Sequence, residues 1–405
     1  MRGRRAGAFH GTADVIILGA GPAGLVLGNL LRSAGVDCVV LERSARAEVR
    51  TRARAGFFAE NAVRVLDRHG LAEGLHANGR RHSVCEFRTP SGRFRLDYGR
   101  LGRGESHTVY PQQELVADLL TRYEAGGGRI HFTTEALCVL EADGPRPSVT
   151  VRGPDGSPGH WRGRYVAGCD GRHGASRRSL PPGAFRRHHR DHRVSWLGLL
   201  VAAPPSLDAV GYAVHVRGFA GHMARTADVT RYYLQCPRGT PAEAWSEERI
   251  WAELEVRMRS AAYGPLRRGP VLQRTVVDLE SDVLTPLRHG TLFLVGDAAS
   301  LLSPSAAKGA NLAVCEAEAL GRALVDDLLH DRPVGLDAYS ARCLARIRRA
   351  QWFSQWMIHL LHDVPPPHGP PLLLDGDAPP RASCLDTLRT SRAEQDWFAE
   401  NYTRV

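Results

Sequence analysis

The sequence predicts a mixed α/β (α+β) chain, and three stretches carry most of that prediction. Residues 15–24 read VIILGAGPAG, residues 165–171 read YVAGCDG and residues 291–297 read TLFLVGD. Each is a short apolar run of buried-strand type that closes on a glycine-rich or glycine–acid turn. Between the second and third stretches, residues 194–236 hold the runs VSWLGLLVA, GYAVHVRG and RYYLQCP with few helix signals. That composition predicts a separate antiparallel sheet.

Taken in order, residues 1–12 are basic and lack the apolar stretch of a secretory signal, so they are expected to form a disordered tail. The strand at 15–18 then runs into Gly19-x-Gly21-x-x-Gly24 and a helix. Gly19 permits the tight turn, Gly21 lets the backbone approach a pyrophosphate, and Gly24 lets the helix pack close to the strand; Ala23 lies within the same junction. Glu42 ends a second apolar run, 38–41, where a carboxylate can take a ribose hydroxyl pair. Strand, turn, helix and acid in this order predict a dinucleotide site. Residues 84–97 alternate polar and apolar around Ser91-Gly92 and predict a hairpin. An amphipathic helix is expected at 112–124, ended by three glycines, with strands at 130–140, 147–152 and 164–168. A helix at 246–260 and a strand at 271–279 follow the antiparallel runs, and the chain returns to the nucleotide-binding unit at 291–297. The Pro-rich stretch 364–382 reads as a surface loop, and a final helix carries Trp397 to Tyr402. The expected units are a tail at 1–12, nucleotide-binding segments at 13–180 and 288–350, a substrate sheet at 181–287 and a helical region at 351–405.

At 405 residues the chain can bury a large core, and 43% hydrophobic and 24% charged residues are ordinary for a soluble protein. No apolar run approaches a membrane span. Eight cysteines without metal-ligand spacing fit a reducing cytoplasm and no metal site. The net charge of +10 invites a nucleic-acid reading, as does the cluster RRHHRDHR at 186–193. No nucleic-acid motif accompanies it, so the cluster is expected to be a solvated loop. The excess charge then serves as a field that draws in small anions.

The three glycine turns, in this order and spacing, resemble those of flavoprotein aromatic monooxygenases. The resemblance sharpens over SWLGLLV at 195–201, VRGFA at 216–220, TRYYLQCP at 230–237, WSEERIWAEL at 245–254, LFLVGDAA at 292–299, AKGANLA at 307–313 and AENY at 399–402. These segments are similar to the 4-hydroxybenzoate 3-monooxygenases, single-component (group A) flavoprotein hydroxylases. The resemblance implies a glutathione-reductase-like, three-layer FAD domain, an antiparallel substrate sheet and a C-terminal helical region. It also implies non-covalent FAD, NADH or NADPH as reductant, O2 as co-substrate, a C4a-hydroperoxyflavin as oxygen donor, and a homodimer. On the cofactor side it assigns Glu42 to the adenosine ribose, Arg43, Arg52, Arg54 and Gln112 to further FAD contacts, and Asp297 to the ribitol. Asp170 would lie where flavin pyrophosphate and nicotinamide approach, and the helix start at Lys308, Gly309, Ala310 and Asn311 would face the flavin edge. On the substrate side, Tyr212 would bond the substrate phenol, Tyr402 would be its partner and His82 the outer end of a proton relay. Arg225 and Tyr233 would take the carboxylate, Trp196 would line the pocket, and Pro304 would lie beside the reacting ring edge.

Some positions depart from the family pattern. Met223 stands where the family carries a carboxylate-bonding serine, Gly221 and Val210 replace leucines, and Ser303, Ser305 and Ala306 alter the loop over the pocket. Gly221 is expected to open space. With these departures the resemblance implies 3-amino-4-hydroxybenzoate, hydroxylated at C2 in antibiotic-type biosynthesis, with plain 4-hydroxybenzoate as the alternative. Glu48 and Glu280 replace an aromatic and an arginine near a 2′-phosphate, which favours NADH; Arg43, His173 and Arg177 remain for the nicotinamide dinucleotide. A halogenase would need a tryptophan-rich motif that the sequence lacks. A flavin-binding protein without turnover would have no reason to keep Tyr212, Arg225 and Tyr402.

Overall fold

A computed structural model describes residues 9–52, 56–363 and 380–405. Its centre is a six-stranded sheet whose inner strands are short apolar runs. Val15–Leu18 pairs in parallel with Cys38–Leu41 on one side and Tyr165–Gly168 on the other, and Leu292–Leu294 continues the parallel order beyond Tyr165–Gly168. Val15–Leu18, Cys38–Leu41 and Leu292–Leu294 are buried at every position, which is why their sequences are unbroken apolar runs. Helices Pro22–Ser33, Gln112–Ala125 and Gly309–His330 cover this sheet and share its core.

The second large sheet has eight strands. Arg186–Val201 pairs antiparallel with Thr230–Cys236 and with Val271–Thr285, and Ala220–Ala224 and Val210–Ala213 extend it. Thr230–Cys236 alternates buried and half-buried residues without a break, the period-two pattern of a strand with two different faces. One face packs Leu197, Leu199, Tyr232 and Leu234 against Ile250, Trp251 and Leu254 of helix Glu247–Arg257. The opposite face looks towards helix Val334–Leu361 and the C-terminal helices Arg381–Thr390 and Arg392–Tyr402.

Several expectations need correction. Residues 9–12 are not a tail: they form a strand parallel to Pro158–Arg162. With Ser148–Arg152 and Glu135–Leu140 that pair makes a four-stranded sheet of its own, so these strands do not complete the six-stranded one. The expected strand 130–140 is two strands, broken at Thr133, whose φ is +51°. The cluster at 186–193 is not a loop. Its backbone pairs with Val283, Asp282 and Ser281 while most of its charged side chains point to water, so polarity concealed a strand. Likewise the strand predicted at 271–279 continues to Thr285, and the helix expected at 246–260 breaks after Arg257 and restarts at Ser260. The hairpin Val84–Thr89/Gly92–Asp97 forms, but Val84–Thr89 pairs with Val210–Ala213 and so belongs to the eight-stranded sheet. Of the Pro-rich stretch, residues 364–379 lie outside the described residues, and Arg381 already begins a helix. Residues 1–8 of the expected tail, and Arg54, are also outside the described residues. Among the described residues no helix is long and apolar enough to cross a membrane. All eight cysteines are free thiols.

Candidate active site

The nucleotide half of the site rests on backbone geometry. Gly19 has φ +99°, and a Cβ there would meet the Cys169 carbonyl oxygen at 2.6 Å; a Cβ at Gly24 would meet the Gly19 oxygen at 2.0 Å. Those two glycines are demanded by the protein itself. Gly21 and Gly309 are different: a Cβ at either would touch no protein atom within 4 Å, and neither has positive φ. Their bareness leaves room for something else at the N-termini of helices Pro22–Ser33 and Gly309–His330. The first-turn N–H groups there lack intrahelical acceptors and carry the positive end of the helix dipole. A dinucleotide fits this cradle.

The acids are held in place around it. Glu42 is buried and accepts hydrogen bonds from the Ala20 N–H at 2.7 Å and the Ser44 N–H at 2.8 Å, which fixes its carboxylate beside the glycine turn. Lone pairs remain on both oxygens for ribose hydroxyls. Asp297 sits half-buried in the single turn Gly296–Ala298. A Cβ on Gly296 would lie 3.3 Å from Cβ of Ala23, so the third glycine turn packs against the helix that follows the first. Beneath it, the Gly296 N–H donates to Glu316 at 2.7 Å, and burial pushes this carboxyl up to about 8. Asp170 accepts from the N–H and hydroxyl of Ser176, capping the short helix Ala175–Arg178; burial raises its carboxyl. Arg177 donates to the carbonyls of Ala298 and Ala299 and pairs with Asp282 at 3.4 Å. Its guanidinium therefore ties the third turn to the long strand rather than standing open to a nicotinamide.

Of the residues expected at the flavin edge, Lys308 holds the C-terminal segment. Lys308 is fully buried, and its ammonium donates to the carbonyls of Asn401 (2.7 Å), Tyr402 (2.8 Å) and Arg404 (2.5 Å); burial pushes it down to about 7. The Asn311 amide accepts from the Ala59 N–H at 2.8 Å and donates to the carbonyls of Phe57 and Ala307. It is a bridge from strand Phe57–Ala59 to the helix start, not an N-cap. Gln112 opens helix Gln112–Ala125. Pro304 is exposed in the turn Pro304–Ala306, which Ser303 caps by accepting from the Ser305 N–H.

On the outer rim, Arg43 and His173 are exposed. Glu48 is paired with Arg52, which also donates to Ser44 Oγ at 3.0 Å. Glu280 is paired with Arg172 at 2.6 Å and Arg238 at 3.5 Å. The two acids thought to repel a 2′-phosphate are thus each matched by a cation.

The residues expected to hold the substrate lie across the pleat of the large sheet. Ladder register puts Phe87, Tyr212, Gly221, Tyr233 and Gly198 in one transverse row. Directly opposed residues share a face. Along the strand Ala220–Ala224 and just past it, Gly221, Met223 and Arg225 follow at every second residue on that same face. Trp196 joins them, its ring 5.0 Å from Tyr233. The face therefore carries phenols at one end and a guanidinium about 13 Å of extended chain away. Arg225 is buried, and burial with the nearby Arg231 pushes it down to about 10, partly offset by Tyr233. The Tyr212 and Tyr402 hydroxyls meet at 2.7 Å in the interior, and burial raises both phenols. His82 is half-buried, bonded through Nδ1 to the Tyr98 hydroxyl at 2.9 Å, and pushed down to about 4 by burial.

The room expected at Gly221 is not there. A Cβ on Gly221 would meet the Phe219 ring at 2.9 Å, so Phe219 takes up the volume a larger residue would fill. Three residues escaped sequence reasoning. His362 accepts from the Trp196 indole N–H at 3.1 Å and braces that ring from behind. Tyr98 and His107 pack edge-on against the Tyr402 ring at 5.1 and 4.9 Å. Nothing in their local sequence marks them; only the fold brings them together.

Comparison with known proteins agrees with this geometry. The family model described as FAD binding domain matches residues 12–354. p-Hydroxybenzoate hydroxylase of Acinetobacter baylyi is 34% identical over 388 residues, covering 96% of this chain and 94% of that protein. The chain belongs to the flavoprotein aromatic hydroxylases of the FAD-binding-domain family. Rifampicin monooxygenase of Streptomyces venezuelae is similar at 28% identity, over 81% of this chain and 67% of that one. In fold, the chain is similar to p-nitrophenol 4-monooxygenase from Pseudomonas putida, with a TM-score of 0.77 at 16% identity over 98% and 99% of the two chains. It is also similar to the anhydrotetracycline hydroxylase of Streptomyces rimosus, with a TM-score of 0.75 at 23% identity over 97% and 76%. The α/β fold with C-terminal helices is thus shared with known hydroxylases and monooxygenases, and the family description is that of an FAD-binding domain.

Proposed function

We propose that the protein hydroxylates a 4-hydroxybenzoate-type ring, drawing electrons from NADH or NADPH. The observation that carries this reading is the buried Tyr212–Tyr402 hydroxyl pair on the same sheet face as the buried Arg225. A benzoate with a para hydroxyl matches both ends. Arg225 binds the carboxylate, for which a planar guanidinium supplies two parallel donors. Tyr233 stands one strand away and adds a hydroxyl. Tyr212 takes the substrate phenol, and Tyr402 takes the proton that Tyr212 passes on. Loss of that proton makes the ring electron-rich, and a chain of hydroxyls can move it where no single base is buried with it. Trp196 and Phe219 wall the ring from water.

FAD, when bound, would pass electrons from the reductant to O2 and so activate one of its oxygen atoms for transfer to the ring, the other leaving as water. Its pyrophosphate would lie at Gly19, Gly21 and Gly24, its adenosine ribose at Glu42, its ribitol at Asp297, and its ring edge at the helix start Gly309–Asn311. Arg43 and His173 are the exposed cationic groups for the reductant. The pairing of Glu48 and Glu280 with arginines leaves only a small preference for NADH.

4-Hydroxybenzoate is the first substrate by this reading, in line with what the Acinetobacter relative is named for. A second reading, 3-amino-4-hydroxybenzoate, is favoured by Met223, which offers bulk and polarisability on the pocket face in place of a hydroxyl. It loses the support of Gly221, where Phe219 fills the space. The test is a screen of hydroxy- and aminohydroxybenzoates for stimulated NAD(P)H oxidation, with each product identified by mass and NMR. Failure of every hydroxy- and aminohydroxybenzoate to stimulate turnover of an FAD-loaded preparation overturns both.

A further inference from the structure

Trp196 and Phe219, the two aromatic walls of the proposed substrate face, are both tied to one imidazole. His362 follows helix Val334–Leu361 and is fully buried. Its Nε2 accepts from the Trp196 indole N–H at 3.1 Å, and its Nδ1 lies 2.8 Å from Gln235 Oε1. The same oxygen accepts from the Phe219 N–H at 3.0 Å. Gln235 stands directly opposite Trp196 in the ladder, and its own N–H donates to the Phe219 carbonyl at 2.9 Å. Trp196, Gln235 and Phe219 thus form a second transverse row, next to that of Gly198, Tyr233, Gly221 and Tyr212. The Trp196 and Phe219 rings stack at 5.0 Å, and His362 meets Phe219 edge-on at 5.2 Å.

These contacts admit one protonation state of the imidazole. An indole N–H only donates, so Nε2 carries the lone pair, and the single ring proton sits on Nδ1 and goes to Gln235. Two donors converging on one atom of the Gln235 amide identify that atom as its oxygen. A second ring proton would set N–H against N–H at Trp196. Burial, with Arg381 and His192 nearby, pushes the imidazole down to about 3. Neither wall can turn without leaving a buried donor or acceptor unpaired, at a cost of about 1–3 kcal/mol.

We propose that His362 is a positioning residue for substrate selection: by locking Trp196 and Phe219 it closes the phenol end of the pocket to rings substituted ortho to the hydroxyl. This rests on the hydroxybenzoate reading above. Phe219 lies two residues from Gly221 on the side away from Arg225, and its ring is 6.4 Å from that of Tyr212. A ring held by its carboxylate at Arg225 and its hydroxyl at Tyr212 therefore turns its hydroxyl end towards this pair. A further group beside the hydroxyl needs one of the two walls to move. His362 acts through the two walls rather than on the substrate.

The experiment measures equilibrium binding of 4-hydroxybenzoate and 4-hydroxy-3-methylbenzoate to FAD-loaded protein, read by flavin absorbance, in wild type, His362→Leu and Gln235→Met. The second variant keeps the length of the glutamine side chain without its acceptor. FAD content and melting temperature establish which variants are folded, and either folded variant decides. Wild type is expected to bind the methylated ring roughly tenfold or more weakly than the plain one. Each variant should narrow that ratio about fivefold or more by gaining affinity for the methylated ring, with 4-hydroxybenzoate affinity within about threefold of wild type. A general loosening of the fold would weaken both ligands alike and leave the ratio unchanged. A smaller narrowing, a narrowing that comes only from lost 4-hydroxybenzoate affinity, or wild-type discrimination below tenfold overturns the proposal. If wild type binds neither benzoate, the hydroxybenzoate reading itself fails and takes the proposal with it.

Discussion

The two large sheets use their residues in opposite ways. In the six-stranded sheet the function sits in the backbone. Gly19 and Gly24 are fixed by contacts of 2.6 and 2.0 Å that any Cβ would make, and Glu42 is oriented by two main-chain N–H groups. In the eight-stranded sheet the proposed site is made of side chains on one face, Tyr212, Met223, Arg225 and Tyr233, which the pleat would present equally well were they other residues. A backbone site admits few sequences and so announces itself as a motif. A side-chain site on a regular strand can be rewritten one position at a time.

That contrast can be broken first at the glycines. Gly24→Ala places a methyl 2.0 Å from the Gly19 oxygen and should abolish folded, FAD-containing protein. Gly21→Ala meets no protein atom, so its melting temperature should stay near wild type while FAD content falls at least tenfold. Equal damage from the two would show that Gly21 serves the protein rather than the cofactor. Next is Arg225→Ala, which removes a buried charge-assisted pair. A loss on the order of 2–4 kcal/mol raises the substrate KM roughly 30- to 700-fold. Unchanged benzoate affinity would remove Arg225 from the carboxylate site.

A smaller thermodynamic effect is expected from Tyr212→Phe, about 1 kcal/mol of stability for one lost hydrogen bond. Its signature lies elsewhere: NAD(P)H consumption should divert to H2O2, read as the ratio of aromatic product to reductant consumed. Coupling as tight as wild type would mean that the substrate supplies its own electron density, as an amino substituent could. The smallest effect is the nicotinamide preference. NADH should serve at least as well as NADPH, by a modest margin because Arg52, Arg172 and Arg238 already face Glu48 and Glu280. A strong NADPH preference would point to Arg43.

The same contrast explains what the sequence disclosed. The glycine turns, the helix at 112–124, the antiparallel runs and the Tyr212–Tyr402 pairing were legible because motif or family pattern marks them. The strand at 186–193 was not, since its charges belong to its solvent side while its pairing depends on residues 281–285, far along the chain. Nor was the filling of Gly221 by Phe219, a neighbour two residues away whose ring direction is set by the sheet. Tyr98 and His107 were invisible because they pack against Tyr402, which is remote in sequence from both.

Lys308 has a consequence for anyone recombining such enzymes. It stands at the start of the helix proposed to face the flavin, yet its three bonds go to the segment that delivers Tyr402, whose hydroxyl in turn meets a strand of the substrate sheet. Substrate specificity therefore cannot be transplanted as a cassette of residues 181–287. A chimera that imports a foreign substrate sheet but keeps its own last helix would join a tyrosine and a partner selected apart. The natural unit of exchange is discontinuous, the sheet together with the final turns and the lysine that anchors them.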